Sequence, residues 1–115
     1  MKIIKRYCQA LDLVNDPKLI REYELLHQQI WPEVKNHILT SGVVDMQIWR
    51  VGNRLFMIMD VNEMFSFEKS AQMEQQNPVI QKWEQQMWQF QQATPWTPNG
   101  EKWIPMEKIF DLTQQ

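Results

Sequence analysis

The middle of the chain constrains the fold most. Two runs of alternating apolar and polar residues, Val43–Val51 and Arg54–Val61, are separated by Gly52-Asn53 alone. A two-residue link of this type supplies the backbone geometry that a tight antiparallel turn needs, so the segment is predicted to form a β-hairpin. On the first strand Val44, Met46 and Ile48 share a face, opposite Asp45, Gln47 and Trp49. On the second, Leu55, Met57, Met59 and Val61 share a face, opposite Phe56, Ile58 and Asp60. An isolated hairpin is barely stable in water, so the flanking segments must pack against it.

Those segments read as helices framed by two more strands. Residues 3–11 alternate, with Ile3, Tyr7 and Leu11 on one face beside Lys5 and Gln9, and Ile4, Cys8 and Ala10 on the other beside Arg6. Asn15-Asp16-Pro17 is a helix start, a capping side chain followed by a residue preorganised for the first helical position. Leu19, Tyr23, Leu26 and Ile30 then form one helical stripe. Pro32 drives Trp31 out of the helical region, and a second segment carries Val34, Ile38 and Leu39 toward Gly42, a natural terminator. After the hairpin, residues 65–76 read as a short helix capped by Ser66. Asn77-Pro78 repeats the cap-plus-proline start, and Ile80, Trp83, Met87 and Phe90 define an amphipathic helix reaching residue 92. Residues 94–103, with Pro95, Pro98, Asn99 and Gly100, form a loop, and 106–112 alternate as a last strand. The order β-α-β-β-α-β predicts an α+β, ferredoxin-like antiparallel sheet with its helices on one face. Nothing in the sequence supplies a layer for the other face, so a homodimer packed sheet against sheet around a barrel-like cavity is expected.

A chain of 115 residues is expected to be one domain, 1–115. With a net charge of −2 it lacks the clustered basic face of a nucleic-acid partner. No apolar run approaches the ~18–20 residues of a membrane span, and none follows the basic N-terminus as in a secretory leader. The single cysteine, Cys8, cannot form an internal disulfide, which suits a reducing cytoplasmic setting. The three glycines are too dispersed to cradle a phosphate. His27 and His37 lack metal-ligand spacing and Cys8 has no partner at a diagnostic offset. Neither a cofactor nor a metal is therefore expected, and no nucleophile signature occurs.

What chemistry remains centres on residues 23–33. Tyr23 and His27 are four apart on one helix and share a face, and histidine exchanges protons near neutral pH. Spacing alone leaves two readings open: a working pair, or the edge of a packed stripe. The same ambiguity holds for the aromatics. Trp31 can wall a pocket or pack in the core, Trp83 lies on a core stripe, Trp88 lies off it, and Trp96 and Trp103 flank the proline-rich loop. Glu33, Asp45 and Asp60 are either acid–base partners or solvated carboxylates.

The block Tyr23-x-x-x-His27 followed by Ile30-Trp31-Pro32-Glu33, with Gly42 before a hairpin, the strand residues Leu55-Phe56-Met57-Ile58-Met59 and the later Gln81-Lys82-Trp83, resembles the L-rhamnose mutarotase family over nearly the whole chain. The resemblance implies a small dimeric α+β barrel without cofactors that interconverts the anomers of a 6-deoxy sugar. It implies that His27 transfers the proton, that Tyr23 binds the sugar, and that Trp83 is the first of a sugar-contacting tryptophan pair. Two positions depart: the second tryptophan is Glu84, and a sugar-contacting tyrosine on the strand after Gly42 is Met46. L-rhamnose is the expected substrate, with L-fucose admitted by the altered wall. Two other classes compete: a cofactor-independent monooxygenase on the same barrel, and a sugar-binding module without catalysis.

Overall fold

The computed structural model describes residues 3–115. Strand β1 (Lys5–Leu13) leads to α1 (Pro17–Gln28) through Asp16, whose carboxylate accepts from the backbone N–H groups of Lys18 and Leu19 at 2.8 and 3.4 Å. These are two of the donors that every helix leaves unpaired at its start. Trp31 is extended at φ −60°, ψ 139°, as a residue before proline must be. Its carbonyl accepts from Val34 and Lys35 and so opens α2 (Pro32–Thr40). Then come β2 (Val43–Val51) and β3 (Arg54–Val61), joined by the Gly52-Asn53 turn. Ser66 caps α3 (Phe67–Gln75) and Asn77 caps α4 (Pro78–Met87).

The sheet is antiparallel, in the order β2-β3-β1-β4. Its face pattern is the one the alternation predicts. Leu11 pairs with Leu55, Gln9 with Met57 and Tyr7 with Met59, and Ile48 and Met46 continue the last two rows on β2. That inner face meets the helices: Leu11, Leu13 and Leu55 pack in one core with Tyr23, Val34, Ile80, Trp83, Met87 and Phe90. A bulge between Val43 and Asp45 lets Val43 and Met46, an odd number apart, both lie on inner-face rows. The ferredoxin-like α+β arrangement is therefore present.

The chain end departs from expectation. Residues 106–112 do not form a strand; only the Met106 amide reaches the sheet, donating to the Cys8 carbonyl at 2.8 Å. The free edge of β1 is instead taken by two-residue strands, β4 (Gln91–Gln92) against Asp12 and Leu13, and β5 (Ile104–Pro105) against Gln9 and Ala10. Helix α4 correspondingly stops at Met87 rather than reaching residue 92. The Phe90 carbonyl is claimed by the Val14 amide at 2.8 Å, so sheet pairing overrides the continuing apolar stripe.

Gly42 carries a close approach as well as a positive φ of +106°. A Cβ there would lie 2.8 Å from both Asn62 Oδ1 and the Phe65 amide nitrogen. Gly52, at φ +58°, has open space around it. Gly42→Ala is therefore expected to destabilise the protein by ~1–3 kcal/mol or more and Gly52→Ala by about 1 kcal/mol. Urea denaturation of both variants checks the order.

Candidate active site

Between the inner face of the sheet and the helices lies a cavity of about 150 Å³. One water needs roughly 10–15 Å³, so the space suits a small polar molecule of monosaccharide size better than a lone solvent molecule. The cavity is enclosed by elements of one chain. It lies where the helices leave a gap over the sheet and polar side chains take the place of a packed core. His27, Tyr23, Trp83, Met46 and Glu84 all line it.

His27 is set by its own helix. One turn separates it from Tyr23, and its Nδ1 lies 2.8 Å from the Tyr23 carbonyl oxygen. A carbonyl can only accept, so in the neutral ring Nδ1 carries the hydrogen and Nε2 keeps its lone pair. Burial lowers the imidazole pKa below its ordinary 6.5, partly offset by that backbone hydrogen bond. At neutral pH the ring is thus an uncharged base.

Tyr23 is buried beneath it, the two rings 4.1 Å apart. Burial pushes the phenol up to about 12, with the Gln91 side chain lowering it and the charge of Glu84 raising it. It therefore remains a hydrogen-bond donor across the neutral range. Trp83 meets His27 edge-on at 5.6 Å, and Trp31 braces Trp83 in turn at 5.1 Å. Trp31 packs on the core as a support.

The other wall is polar. Glu84 pairs with Lys102 Nζ at 2.7 Å, and that ammonium also sits 4.3 Å over the Trp88 ring. Glu74, His37, Gln91 and Trp103 line the cavity as well; no spacing argument had singled out Glu74 or Gln91. None of the carboxylates weighed from sequence lines this cavity, though Asp45 shares a neighbouring cleft with His27 and Met46. Asp60 pairs with Arg6 on the outer face at 2.7 Å, and Asp45 and Glu33 are exposed. Trp96 is exposed and stacks under Arg54 at 4.8 Å. Among the described residues no group of three or more His, Cys, Asp or Glu side chains could hold a metal ion.

These features can be set beside known proteins. The profile of the L-rhamnose mutarotase family matches residues 6–112. The L-fucose mutarotase of Xanthomonas campestris is 39% identical over 113 residues, covering 96% of this chain and 90% of that protein. The L-rhamnose mutarotase of Paraburkholderia phytofirmans is 31% identical, covering 90% of this chain and 92% of its own. The solved structure of L-rhamnose mutarotase from Formosa agariphila superposes with a TM-score of 0.69 at 25% identity, covering 95% of this chain and 99% of that one. With its hairpin, its capped helix pairs and its His27 cavity, the chain belongs to the L-rhamnose mutarotase family.

Proposed function

We propose that the protein interconverts the anomers of a 6-deoxyhexose in this cavity. The observation that carries the reading is a half-buried, neutral histidine with one free nitrogen, beside a protonated tyrosine and an aromatic wall, in a space of monosaccharide size. Anomerisation needs nothing more. His27 Nε2 takes the proton from the anomeric hydroxyl as the carbonyl forms at C1, and delivers it to O5 as the C1–O5 bond breaks, which leaves the ring neutral again. Tyr23 donates a hydrogen bond that orients the sugar oxygen, and Trp83 stacks on the apolar face of the ring. The open aldehyde rotates about C1–C2 and recloses by the reverse path: Nε2 takes the proton from the O5 hydroxyl as O5 attacks C1 and hands it to the carbonyl oxygen, which becomes the new anomeric hydroxyl. Met46 and Glu84 form the altered wall and bear on which sugar fits. The higher identity to an L-fucose mutarotase than to the L-rhamnose mutarotases moves the favoured substrate from L-rhamnose to L-fucose.

We also propose a homodimer in the cytoplasm. On the outer sheet face Cys8 pairs with Ile58 and Ala10 with Phe56, and Trp49 continues that row with no helix over it. Beyond β5 the chain displays Ile109, Phe110 and Leu112 at 91, 65 and 75% exposure. Apolar surface of this kind marks an interface. Cys8 is unpaired, in keeping with a reducing compartment, and no described helix is long and apolar enough to cross a membrane.

Saturation-transfer NMR on L-fucose and L-rhamnose tests the activity. Exchange between anomers should accelerate with the protein present, and His27→Ala should lower the enzymatic rate ~10²–10⁴-fold while leaving the fold intact. An unchanged rate in that variant sinks the assignment. A protein that binds sugar yet leaves exchange at its spontaneous rate is the binding module instead.

The pH profile follows from the same group. The working form is the unprotonated ring, which predominates above its pKa, and that pKa lies below 6.5. Activity is expected to fall on the acid side with a midpoint below 6.5 and to stay level through neutrality. No alkaline limb from Tyr23 should appear until the solution nears pH 12. For the assembly, sedimentation should give twice the 14.0 kDa chain mass. The pair Ile109→Asp and Phe110→Asp should shift it to monomer, and a wild-type monomer at all concentrations would refute the dimer.

A further inference from the structure

Two polar atoms of the cavity wall, His37 Nε2 and Gln91 Oε1, are buried without a hydrogen-bond partner among the described residues. Buried polar groups are normally satisfied, so a pair of orphans in one cavity points to a ligand that supplies their partners. The His37 side chain is only 7% exposed, and its Nε2 stands 3.6 Å from Glu74 Oε1. That gap is too long for a direct hydrogen bond but lets one oxygen sit at about 2.8 Å from both atoms. A hydroxyl meets the demand: it donates to the carboxylate and accepts from the imidazole N–H, or does the reverse.

We propose that His37 and Glu74 form a hydroxyl-binding subsite that holds one ring hydroxyl of the sugar and thereby sets which 6-deoxyhexose is turned over. The proposal rests on reading the cavity as a mutarotase site. L-fucose and L-rhamnose differ in configuration at C2 and C4, so a fixed donor–acceptor pair meets a hydroxyl in one sugar and misses it in the other. A site built to hydrogen-bond a hydroxyl discriminates strongly, because the wrong ligand leaves its buried groups unpaired.

The surroundings favour this role for Glu74. Glu84, the other carboxylate on this wall, is engaged by Lys102 at 2.7 Å. Burial, and then the charge of Glu84, push the Glu74 carboxyl up, while His37 and Lys102 pull it down. A carboxyl raised in this way can donate as well as accept a hydrogen bond. His37 comes from α2, Glu74 from α3 and Glu84 from α4, so the subsite is assembled only in the folded chain.

The test uses the full-length protein, L-fucose and L-rhamnose. Anomer exchange is measured for wild type, His37→Leu, His37→Gln and Glu74→Gln, with thermal melts as a check on folding. The expected result is a ~10–100-fold loss of kcat/KM on the preferred sugar in His37→Leu, a much smaller loss on the other sugar, and recovery in His37→Gln, whose amide reaches the position of Nε2. If His37→Leu does not fold, the half-exposed Glu74→Gln serves, and it should shift the sugar ratio in the same direction. A ratio unchanged in the folded variants overturns the proposal. The ¹⁵N resonance of His37 Nε2 is followed in parallel as each sugar is titrated into His27→Ala. It should move with the preferred sugar, and a resonance that stays fixed at saturating sugar also overturns the proposal. Wild type that accelerates exchange of neither sugar ends the mutarotase reading, while the Nε2 resonance still decides the subsite.

Discussion

The break at Trp31-Pro32 is the constraint on which the site depends. His27 and His37 are ten residues apart. On one straight helix they would stand about 15 Å apart along the axis and some 80° apart around it, from a rise of ~1.5 Å and a turn of ~100° per residue. They could not then line a single cavity of about 150 Å³. Proline removes a helical donor and forces its predecessor into extended geometry, so α1 ends at Gln28 and α2 starts in a new direction at Pro32. The same break swings Trp31 against Trp83, which in turn meets His27. One local steric rule thus orients the base, its aromatic support and a second histidine.

Electrostatics in the cavity follow from burial. His27 and Tyr23 are both kept neutral, the first by a lowered pKa and the second by a raised one, and desolvation is the largest cause in each case. An uncharged base beside an uncharged acid suits a reaction that moves one proton off a sugar oxygen and one onto another without net charge. The formal charges gather on the far wall, where Lys102 answers Glu84 and leaves Glu74 facing His37. In the proposed mechanism the two walls therefore divide the work: one transfers protons, the other offers hydrogen bonds.

Much of this was legible in the sequence. Alternation around Gly52-Asn53 assigned the strand faces, and the three Asx-or-Ser caps marked the starts of α1, α3 and α4, because both signals arise from near neighbours. What was illegible depends on distant parts of the chain. The strands at Gln91–Gln92 and Ile104–Pro105 are too short to carry any periodicity and exist only because β1 has a free edge. Residues 106–112 do alternate, yet within one chain they find no edge to join. Glu74 and Gln91 looked like ordinary solvated helix positions, and Trp103 stood open between stacking on a ligand and anchoring its loop. Only the tertiary arrangement, with α3 packed on α4, Gln91 paired to β1 in β4 and the loop carrying Trp103 folded onto the core, brings them to the cavity. Tyr23 and His27 were ambiguous from spacing, and the resemblance singled them out where the helical pattern could not.

The mixed character of both sheet faces, puzzling in the sequence, resolves into two separate uses. On the inner face the apolar rows pack beneath the helices, and Gln9 directs its amide to the Met57 sulfur at 3.9 Å. On the outer face Arg6 and Arg54 are matched across the strands by Asp60 and Asp12, at 2.7 and 2.8 Å. Those pairs bracket the Cys8–Ile58 and Ala10–Phe56 rungs. The ion pairs keep the outer face from being uniformly apolar, and they would fix the register of anything that docks there, since a shifted partner would meet charge where it needs an apolar contact. Because the cavity lies wholly on the inner side, docking on the outer face can stiffen β1 and β3 without entering the site. A dimer surface proposed there and the proposed sugar site could therefore vary independently, which fits a family with relatives named for L-fucose and for L-rhamnose.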